Sequence, residues 1–224
     1  LAGLVGLMIG SFLNVVIHRL PQMMEWEWQQ QCTALLHPED NDSAPAAPPL
    51  TLNRPRSRCP HCGHRITAVE NIPVISFLIQ RGRCRQCAQP ISWRYPAIEL
   101  LSALLSIVVI HHFGASWQGA AALILTWSLI ALTFIDYDQQ LLPDSITLPL
   151  LWLGLLASLV PIFISAQQSI IGAACGYLAL WSVYWGFKLI TGKEGMGYGD
   201  FKLLSLFGAW LGWQSLPLIL ILSA

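Results

Sequence analysis

The stretch Leu129-Ile130-Ala131-Leu132-Thr133-Phe134-Ile135-Asp136 places a carboxylic acid at the end of an uninterrupted apolar run. The apolar composition extends back to about residue 118, and a membrane-spanning helix needs about 20 mostly apolar residues. An ionisable group at membrane depth costs free energy and usually marks function. This stretch therefore predicts a membrane helix and a first candidate functional residue, Asp136.

Apolar runs of comparable length recur along the whole chain, and only 11% of the residues are charged. Soluble domains carry roughly 25% charged residues, so this composition indicates that lipid surrounds much of the chain. We predict an all-α fold, a polytopic transmembrane helical bundle. Its predicted spans are residues 1–18, 96–113, 118–136, 144–165, 168–190 and 200–213, with a seventh from about 215. Apolar runs include both Leu1 and Ala224, so we expect the protein to continue beyond both ends.

The basic residues predict the orientation of these spans. If the chain starts outside, all twelve fall on one side of the membrane, which the positive-inside rule assigns to the cytoplasm. This rule accounts for the basic loop, so we expect no nucleic-acid partner. The twelve are Arg19, Arg54, Arg56, Arg58, Arg65, Arg81, Arg83, Arg85, Arg94, Lys188, Lys193 and Lys202.

The long cytoplasmic segment after the first span divides into two parts by composition. Residues 19–57 include acidic and Pro-rich stretches, which predict a flexible connector. Residues 58–95 contain two C-x-x-C pairs and predict a separate loop domain. Residues 96–224 then form the predicted transmembrane core.

Cys59-Pro60-His61-Cys62 and Cys84-Arg85-Gln86-Cys87 have the paired spacing of a zinc ribbon. Four thiolates can close a tetrahedral zinc site with no open position, so we predict a structural zinc ion held by Cys59, Cys62, Cys84 and Cys87. Two disulfides are the alternative, which a reducing cytoplasm disfavours. His61 or His64 could replace a thiol as ligand. Cys32 and Cys175 have no partner by spacing and are read as free or buried thiols.

Several carboxylic acids besides Asp136 lie near the apolar spans. Glu99 falls in the first turn of its span, where the helix dipole favours a carboxylate. Asp138 lies two residues after Asp136 and so points to a different face of a helix, which suggests a solvated acid. Asp144 follows Pro143 and is read as a helix N-cap.

Asp200 ends the glycine-rich stretch Gly195-Met196-Gly197-Tyr198-Gly199-Asp200. Glycines permit unusual backbone angles and close approach of another chain, so a substrate strand could reach this carboxylate. The alternative is a flexible loop with an N-capping aspartate. Taken alone, the stretch does not decide between these two interpretations.

Two membrane-associated aspartates together suggest an aspartyl protease. In such enzymes two carboxyl groups share one proton, and the ionised group takes a proton from water while the protonated group polarises the scissile carbonyl. A proton-coupled transporter or a membrane scaffold that docks through its cysteine loop would be the alternatives. A transporter would place acids near mid-bilayer, whereas these lie at one interface.

The chain resembles the prepilin peptidases of type IV pilus and type II secretion systems. The resemblance covers nearly the whole chain and is most specific at Phe134-Ile135-Asp136-Tyr137-Asp138 with Leu142-Pro143-Asp144, and at the G-x-G-D stretch Gly197-Tyr198-Gly199-Asp200. Gly10–Pro21, residues 71–76 between the cysteine pairs, and Arg94–Glu99 add to it.

The resemblance implies that Asp136 and Asp200 are the catalytic pair and that Cys59, Cys62, Cys84 and Cys87 bind zinc. The implied substrate is a prepilin or pseudopilin, whose short basic leader is removed at the cytoplasmic face of the bacterial inner membrane. N-methylation of the new terminus, with S-adenosylmethionine as methyl donor, is also implied. For that second activity the resemblance suggests only Glu70 and Asn71 as loop contributors.

Overall fold

The computed structural model describes residues 1–36, 50–67, 69–193 and 195–223, and these residues form eight α-helices. In chain order the helices are α1 (Ala2–Leu36), α2 (Ile75–Ile79), α3 (Arg94–Phe113), α4 (Trp117–Gln139), α5 (Asp144–Ala157), α6 (Ala166–Thr191), α7 (Tyr198–Leu211) and α8 (Leu216–Ser223). The described residues contain no strand, only two isolated bridges in the cysteine loop. The predicted all-α fold is confirmed.

Four of these helices, α1, α3, α4 and α6, are long and apolar enough to cross a membrane. Helices α5 and α7 have 14 residues each, which corresponds to about 21 Å at 1.5 Å per residue. That is shorter than the roughly 30 Å hydrocarbon core. The four long helices indicate a membrane protein, as the composition predicts.

Helix α1 continues well past the predicted end of the first span at residue 18. It extends to Leu36 and carries Pro21 inside it. Residues 19–36 are rich in Leu, Met, Glu and Gln, which favour helix, and this outweighs the Pro-rich composition that suggested a connector throughout 19–57. The part of that connector at 37–49 lies outside the described residues.

The predicted span 144–165 is also not one continuous helix. Helix α5 ends at Ala157, and turns follow it up to Ser165. Pro161 explains this end, because proline lacks an N–H and disfavours helical geometry in the residue before it. The predicted continuous helix from 144 to 165 is therefore wrong.

The chain divides into two compact units, Leu1–Ala115 with Ala122–Gln139, and Ser116–Ala121 with Gln140–Ala224. In the first unit α1 packs along α3. A Cβ atom on Gly6 would lie 2.7 Å from the Cα of Ala103, and one on Gly10 would lie 2.7 Å from the Cα of Glu99. The absence of side chains at Gly6 and Gly10, one helical turn apart, lets the two backbones touch.

The second unit uses the same device between α6 and α7. Gly172 of α6 and Gly208 of α7 meet backbone to backbone, and a Cβ atom on Gly176 would lie 2.5 Å from the carbonyl oxygen of Leu204. Ser169 and Ser205 then donate hydrogen bonds across this interface to the carbonyls of Ala209 and Ala173, at 2.6 and 2.8 Å. This packing positions α7, whose first turn carries Asp200.

Candidate active site and metal centre

Asp136 lies in the last turn of α4, in the first unit. The residue before it, Ile135, is fully buried, whereas Asp136 itself is exposed. The apolar side chains before the aspartate therefore anchor α4 and leave the carboxylate at its polar end. This is the position that the sequence predicts for it.

Asp138 is held in a forked ion pair rather than being solvated as predicted. Its carboxylate accepts hydrogen bonds from both terminal nitrogens of Arg94, at 2.7 and 2.6 Å. The guanidinium also lies over the ring of Phe134, 5.1 Å from its centre. Arg94 begins α3, so this pair ties the start of α3 to the last turn of α4, next to Asp136.

Asp200 lies in the first turn of α7, in the second unit. Helix N-termini favour negative charge, because their backbone N–H groups and the helix dipole point toward it. Asp200 is exposed, while the next residue, Phe201, is fully buried and packs edge-on against Tyr177, Tyr184 and Tyr198. An aromatic anchor therefore sets the position of the first turn of α7 directly beside the carboxylate.

Asp144 binds a lysine two residues beyond Asp200. Its carboxylate accepts from the Nζ of Lys202 at 2.7 and 2.6 Å, which ties the first residue of α5 to the first turns of α7. The N-cap position of α5 is occupied by Pro143. Our reading of Asp144 as an N-cap is therefore wrong, since its carboxylate holds an ion pair instead.

The glycine-rich stretch before Asp200 allows close packing, as predicted, but with ordinary backbone angles. A Cβ atom on Gly199 would lie 2.9 Å from the Cβ of Leu142, and one on Gly195 would lie 2.9 Å from the ring of Phe187. Neither these glycines nor Gly197 has a positive φ. The expected unusual backbone angles are therefore absent at all three, and the close approach is made by the chain's own side chains.

The four cysteines predicted as metal ligands come together in the first unit. Their sulfur atoms all lie within 4.8 Å of one another, and the pairs Cys59–Cys87 and Cys62–Cys84 are 3.8 and 3.9 Å apart. A tetrahedral zinc ion with Zn–S bonds of about 2.3 Å requires sulfurs about 3.8 Å apart. The cysteine cluster (Cys59, Cys62, Cys84 and Cys87) therefore fits such an ion.

The two cysteine pairs form matching backbone turns. The N–H of Gly63 donates to the carbonyl of Cys59, and the N–H of Ala88 donates to the carbonyl of Cys84, both at 2.9 Å. Gly63 and Ala88 occupy the same place in their turns and both have positive φ, 70° and 56°. Each C-x-x-C pair thus has the same backbone turn, and each turn presents its two sulfur atoms to the cluster.

These turns also stabilise thiolates. The backbone N–H groups of Cys62 and His61 donate to the sulfur of Cys59 and lower the pKa of its thiol to about 6. The pKa of Cys62 is instead raised to about 12, because desolvation and the three neighbouring sulfurs outweigh the hydrogen bond from the N–H of His64. A bound cation would remove that repulsion and allow all four thiols to ionise.

The histidines of the loop are not needed to complete the cluster. The Nε2 of His64 lies 3.3 Å from a carboxylate oxygen of Glu70, which also accepts from the N–H and hydroxyl of Thr67 at 2.9 Å. The N–H of Thr67 is the main reason that the pKa of Glu70 is lowered. Cys32 and Cys175 are free and exposed.

Glu99 is the polar residue whose role the sequence reading missed. It is buried in α3, and its carboxylate accepts the backbone N–H of Val74 at 2.7 Å. Val74 precedes α2 and has a positive φ of 60°. Glu99 therefore fastens the cysteine loop to α3, which is more than the dipole interaction expected for it.

Comparison with known proteins identifies the family. Residues 4–113 match the bacterial peptidase A24 N-terminal domain, and residues 123–224 match the type IV leader peptidase family. The chain belongs to the type IV leader peptidase family. No solved structure matches it.

Curated relatives named prepilin leader peptidase/N-methyltransferase align over nearly the whole chain. The protein from Aeromonas hydrophila is 61% identical over 221 residues, which cover 99% of this chain and 76% of the relative. The relatives from Stutzerimonas stutzeri and Pseudomonas aeruginosa are 58% and 54% identical, covering 98% and 99% of this chain and 75% of each relative. The resemblance to an enzyme family, the prepilin peptidases, is confirmed.

Proposed function

We propose that this chain is a membrane aspartyl endopeptidase that removes the short leader of type IV prepilins or type II secretion pseudopilins. Asp136 and Asp200 are its catalytic residues, and they act at the cytoplasmic face of the bacterial inner membrane. Membership of the type IV leader peptidase family is the observation that carries this proposal. The names of the curated relatives support the same substrate class.

The local placement of each aspartate supports its role. Both lie at the polar end of an apolar helix, exposed and directly beside a fully buried residue, Ile135 or Phe201. Both also have a charged neighbour two residues on that is held in an ion pair, Asp138 or Lys202. Each ion pair engages the charged side chain next to the proposed catalytic aspartate. It also restrains the helix turn that carries that aspartate.

The proposed reaction is hydrolysis of one peptide bond. One ionised aspartate takes a proton from water, and the water oxygen attacks the scissile carbonyl while the other, protonated aspartate donates a hydrogen bond to the carbonyl oxygen. The C–N bond then breaks, and the leaving nitrogen receives the proton that the first aspartate took from water and becomes the new amino terminus. The leader ends in a free carboxylate.

The cysteine cluster is proposed to hold a structural zinc ion. Four thiolate ligands leave no open coordination position, so the metal stabilises the loop domain rather than binding water or substrate. We expect about one equivalent of zinc in purified protein, and less in a Cys62→Ser, Cys84→Ser variant. Metal analysis by mass spectrometry measures this, and a metal-free protein with an intact loop would contradict it.

N-methylation of the new terminus by S-adenosylmethionine is proposed from the names of the relatives. The methyl donor would supply one methyl group to the amine that cleavage exposes. Glu70, which the resemblance suggests as a contributor, has its carboxylate held by Thr67 and His64. This set of contacts does not by itself fit a methyl-donor site, so we derive no step through it.

The test is incubation of the purified chain with a prepilin-like peptide, followed by mass spectrometry with and without S-adenosylmethionine. We expect Asp136→Asn and Asp200→Asn each to abolish cleavage while the protein stays folded. Catalysis needs a carboxylate that accepts a proton from water and a carboxyl group that can give one up, and an amide serves as neither base nor acid.

The matched controls are Asp138→Asn and Asp144→Asn, which remove the neighbouring carboxylates. Each breaks a partly exposed ion pair worth up to about 1 kcal/mol, so cleavage should fall by less than about tenfold. Retained cleavage in either the Asp136 or the Asp200 variant would refute the catalytic pair. A complete loss in the Asp138 variant would show that the wrong acid of the two was chosen.

A further inference from the structure

Helix α2 presents its apolar residues outward. Ile75, Leu78 and Ile79 follow the i, i+3, i+4 spacing of one helix face and are 52%, 64% and 76% exposed. Phe77 points the other way, is buried, and packs against Gly82 and the ring of Trp93. A solvent-facing helix would show the opposite arrangement, so this face requires an apolar environment.

The contact with Glu99 places α2 at the depth of a membrane-spanning helix. The N–H of Val74, just before α2, donates to the carboxylate of Glu99. Glu99 lies five residues into α3, which is about 7.5 Å along the helix axis. Helix α3 has 20 residues and is about 30 Å long, the thickness of the hydrocarbon core. The start of α2 therefore lies beside the N-terminal part of α3, about 7.5 Å along the axis from the end at which a spanning α3 would leave the hydrocarbon core.

Trp93 belongs to the same surface. It immediately precedes α3, is 74% exposed, and packs edge-on against Phe77 with ring centres 4.7 Å apart. Tryptophan is enriched where membrane helices leave the lipid, because its ring is apolar while its N–H can reach the headgroups. We define the α2 surface as Ile75, Leu78, Ile79 and Trp93.

Basic side chains adjoin the α2 surface along the chain. Arg81, Arg83 and Arg85 follow α2 directly and are all exposed. Basic residues beside a membrane attract anionic lipid headgroups. A soluble protein partner would not explain why the apolar face and the tryptophan both lie beside the N-terminal end of α3.

We propose that the α2 surface binds the lipid bilayer at the boundary between headgroups and acyl chains. Ile75, Leu78, Ile79 and Trp93 enter the apolar side of this boundary, and Arg81, Arg83 and Arg85 bind anionic headgroups. The cysteine loop is then a membrane-seated domain, anchored by lipid as well as by Glu99. This inference rests on the first unit alone and does not depend on peptidase activity.

The test uses the full chain in nanodiscs with p-benzoylphenylalanine introduced at position 78. After illumination we expect lipid adducts, identified by mass spectrometry, and the same result with the probe at position 79. The matched control is the probe at exposed position 61, on the first cysteine turn and next to no residue assigned to the lipid, where lipid adducts should be at least several-fold fewer. Adducts only to another part of the chain or to a second copy would overturn the proposal, and so would the absence of any lipid adduct.

A second test measures tryptophan fluorescence in nanodiscs of different lipid charge and needs no photoreactive probe at the α2 surface. Brominated lipids quench tryptophan fluorescence, and comparison of the native chain with Trp93→Phe isolates the share of Trp93. We expect that share to be quenched, and more strongly in nanodiscs of phosphatidylglycerol and phosphatidylcholine than of phosphatidylcholine alone. Replacing Arg81, Arg83 and Arg85 by Gln should remove the difference. An unquenched Trp93, or a charge effect that survives the Gln variant, would overturn the proposal.

Discussion

Two residues after each proposed catalytic aspartate lies a side chain held in an ion pair. The charge of that side chain is negative in one case and positive in the other. Beyond Asp136 the paired residue is the acid Asp138, which binds Arg94, whereas beyond Asp200 it is the base Lys202, which binds Asp144. A two-residue spacing on a helix puts the neighbours on different faces, so the ion pair restrains the turn without occupying the aspartate's own face. In both stretches a proposed catalytic aspartate therefore has, two residues on, a charged side chain whose ion pair positions the helix turn.

Ala88 is a residue-scale feature of the cysteine loop with a measurable cost. It adopts φ 56° at the position where the matching turn has Gly63 at φ 70°. Left-handed backbone costs an L-residue roughly 1 kcal/mol that glycine does not incur. We expect Ala88→Gly to stabilise the loop by about 1 kcal/mol and so to slow its cleavage in limited proteolysis about fivefold.

Gly63→Ala is the reciprocal variant. A Cβ atom at Gly63 would meet nothing within 4 Å, so the substitution changes only the backbone preference. Its cleavage should accelerate by a similar factor. Faster cleavage of Ala88→Gly than of the native loop would contradict the assignment of strain to this backbone position.

At the scale of elements, each unit is assembled around a helix with two glycines four residues apart. Gly6 and Gly10 of α1 meet α3, and Gly172 and Gly176 of α6 meet α7. In lipid there is little hydrophobic drive for helices to associate, so close van der Waals contact between backbones holds them together. This spacing was visible in the sequence, but it became informative only once the partner helices were known.

The α6–α7 contact predicts a large difference between two glycines of the same helix. Gly176→Ala would place a Cβ atom 2.5 Å from the carbonyl oxygen of Leu204, a backbone atom that cannot move without shifting α7. We expect this variant to lose about 1–3 kcal/mol of stability and to cleave substrate more slowly, because α7 carries Asp200. Thermal unfolding in detergent and peptide cleavage measure the two effects.

Gly186→Ala is the control, since nothing lies within 4 Å of a Cβ atom there. Alanine favours helix over glycine by up to about 1 kcal/mol, so this variant should be unchanged or slightly more stable. Equal destabilisation of the two variants would show that the close contact between α6 and α7 does not hold the unit together.

At the scale of the whole molecule, the distribution of basic residues predicts a topology that can be tested directly. With all twelve on the cytoplasmic side, residues 115 and 167 lie outside and residue 140 lies inside. Helix α5 has only 14 residues, so this threading requires that α5 and the turns after it cross the bilayer together. Because α5 is short, the side of the membrane on which residue 167 lies tests most directly whether α5 and the turns after it cross the bilayer.

Cysteines introduced singly at 115, 140 and 167, with Cys32 and Cys175 replaced by Ser, report this topology. A membrane-impermeant maleimide should label positions 115 and 167 in intact cells, and position 140 only after permeabilisation. Labelling of 140 in intact cells would reverse the predicted orientation. Protection of 167 would show that α5 does not cross.

Features that depend on neighbouring residues in the chain were predictable. The apolar spans follow from consecutive side chains, and the two cysteine turns follow from a three-residue spacing that bends the backbone in the same way twice. Where local signals competed, the sequence reading failed: helix-favouring residues carry α1 to Leu36, and Pro161 prevents α5 from reaching residue 165.

The amino-acid sequence by itself determined that Asp136 ends the apolar run of a predicted membrane helix, that Asp200 follows a glycine-rich stretch, and that four cysteines form two pairs. Only the tertiary structure decided which polar groups bind each other: Arg94 with Asp138 across 44 residues, Lys202 with Asp144 across 58, and the backbone N–H of Val74 with Glu99 across 25. The physical reason is that ion pairs and buried hydrogen bonds act over a few ångströms. Their partners are chosen by how helices pack, which local composition does not specify.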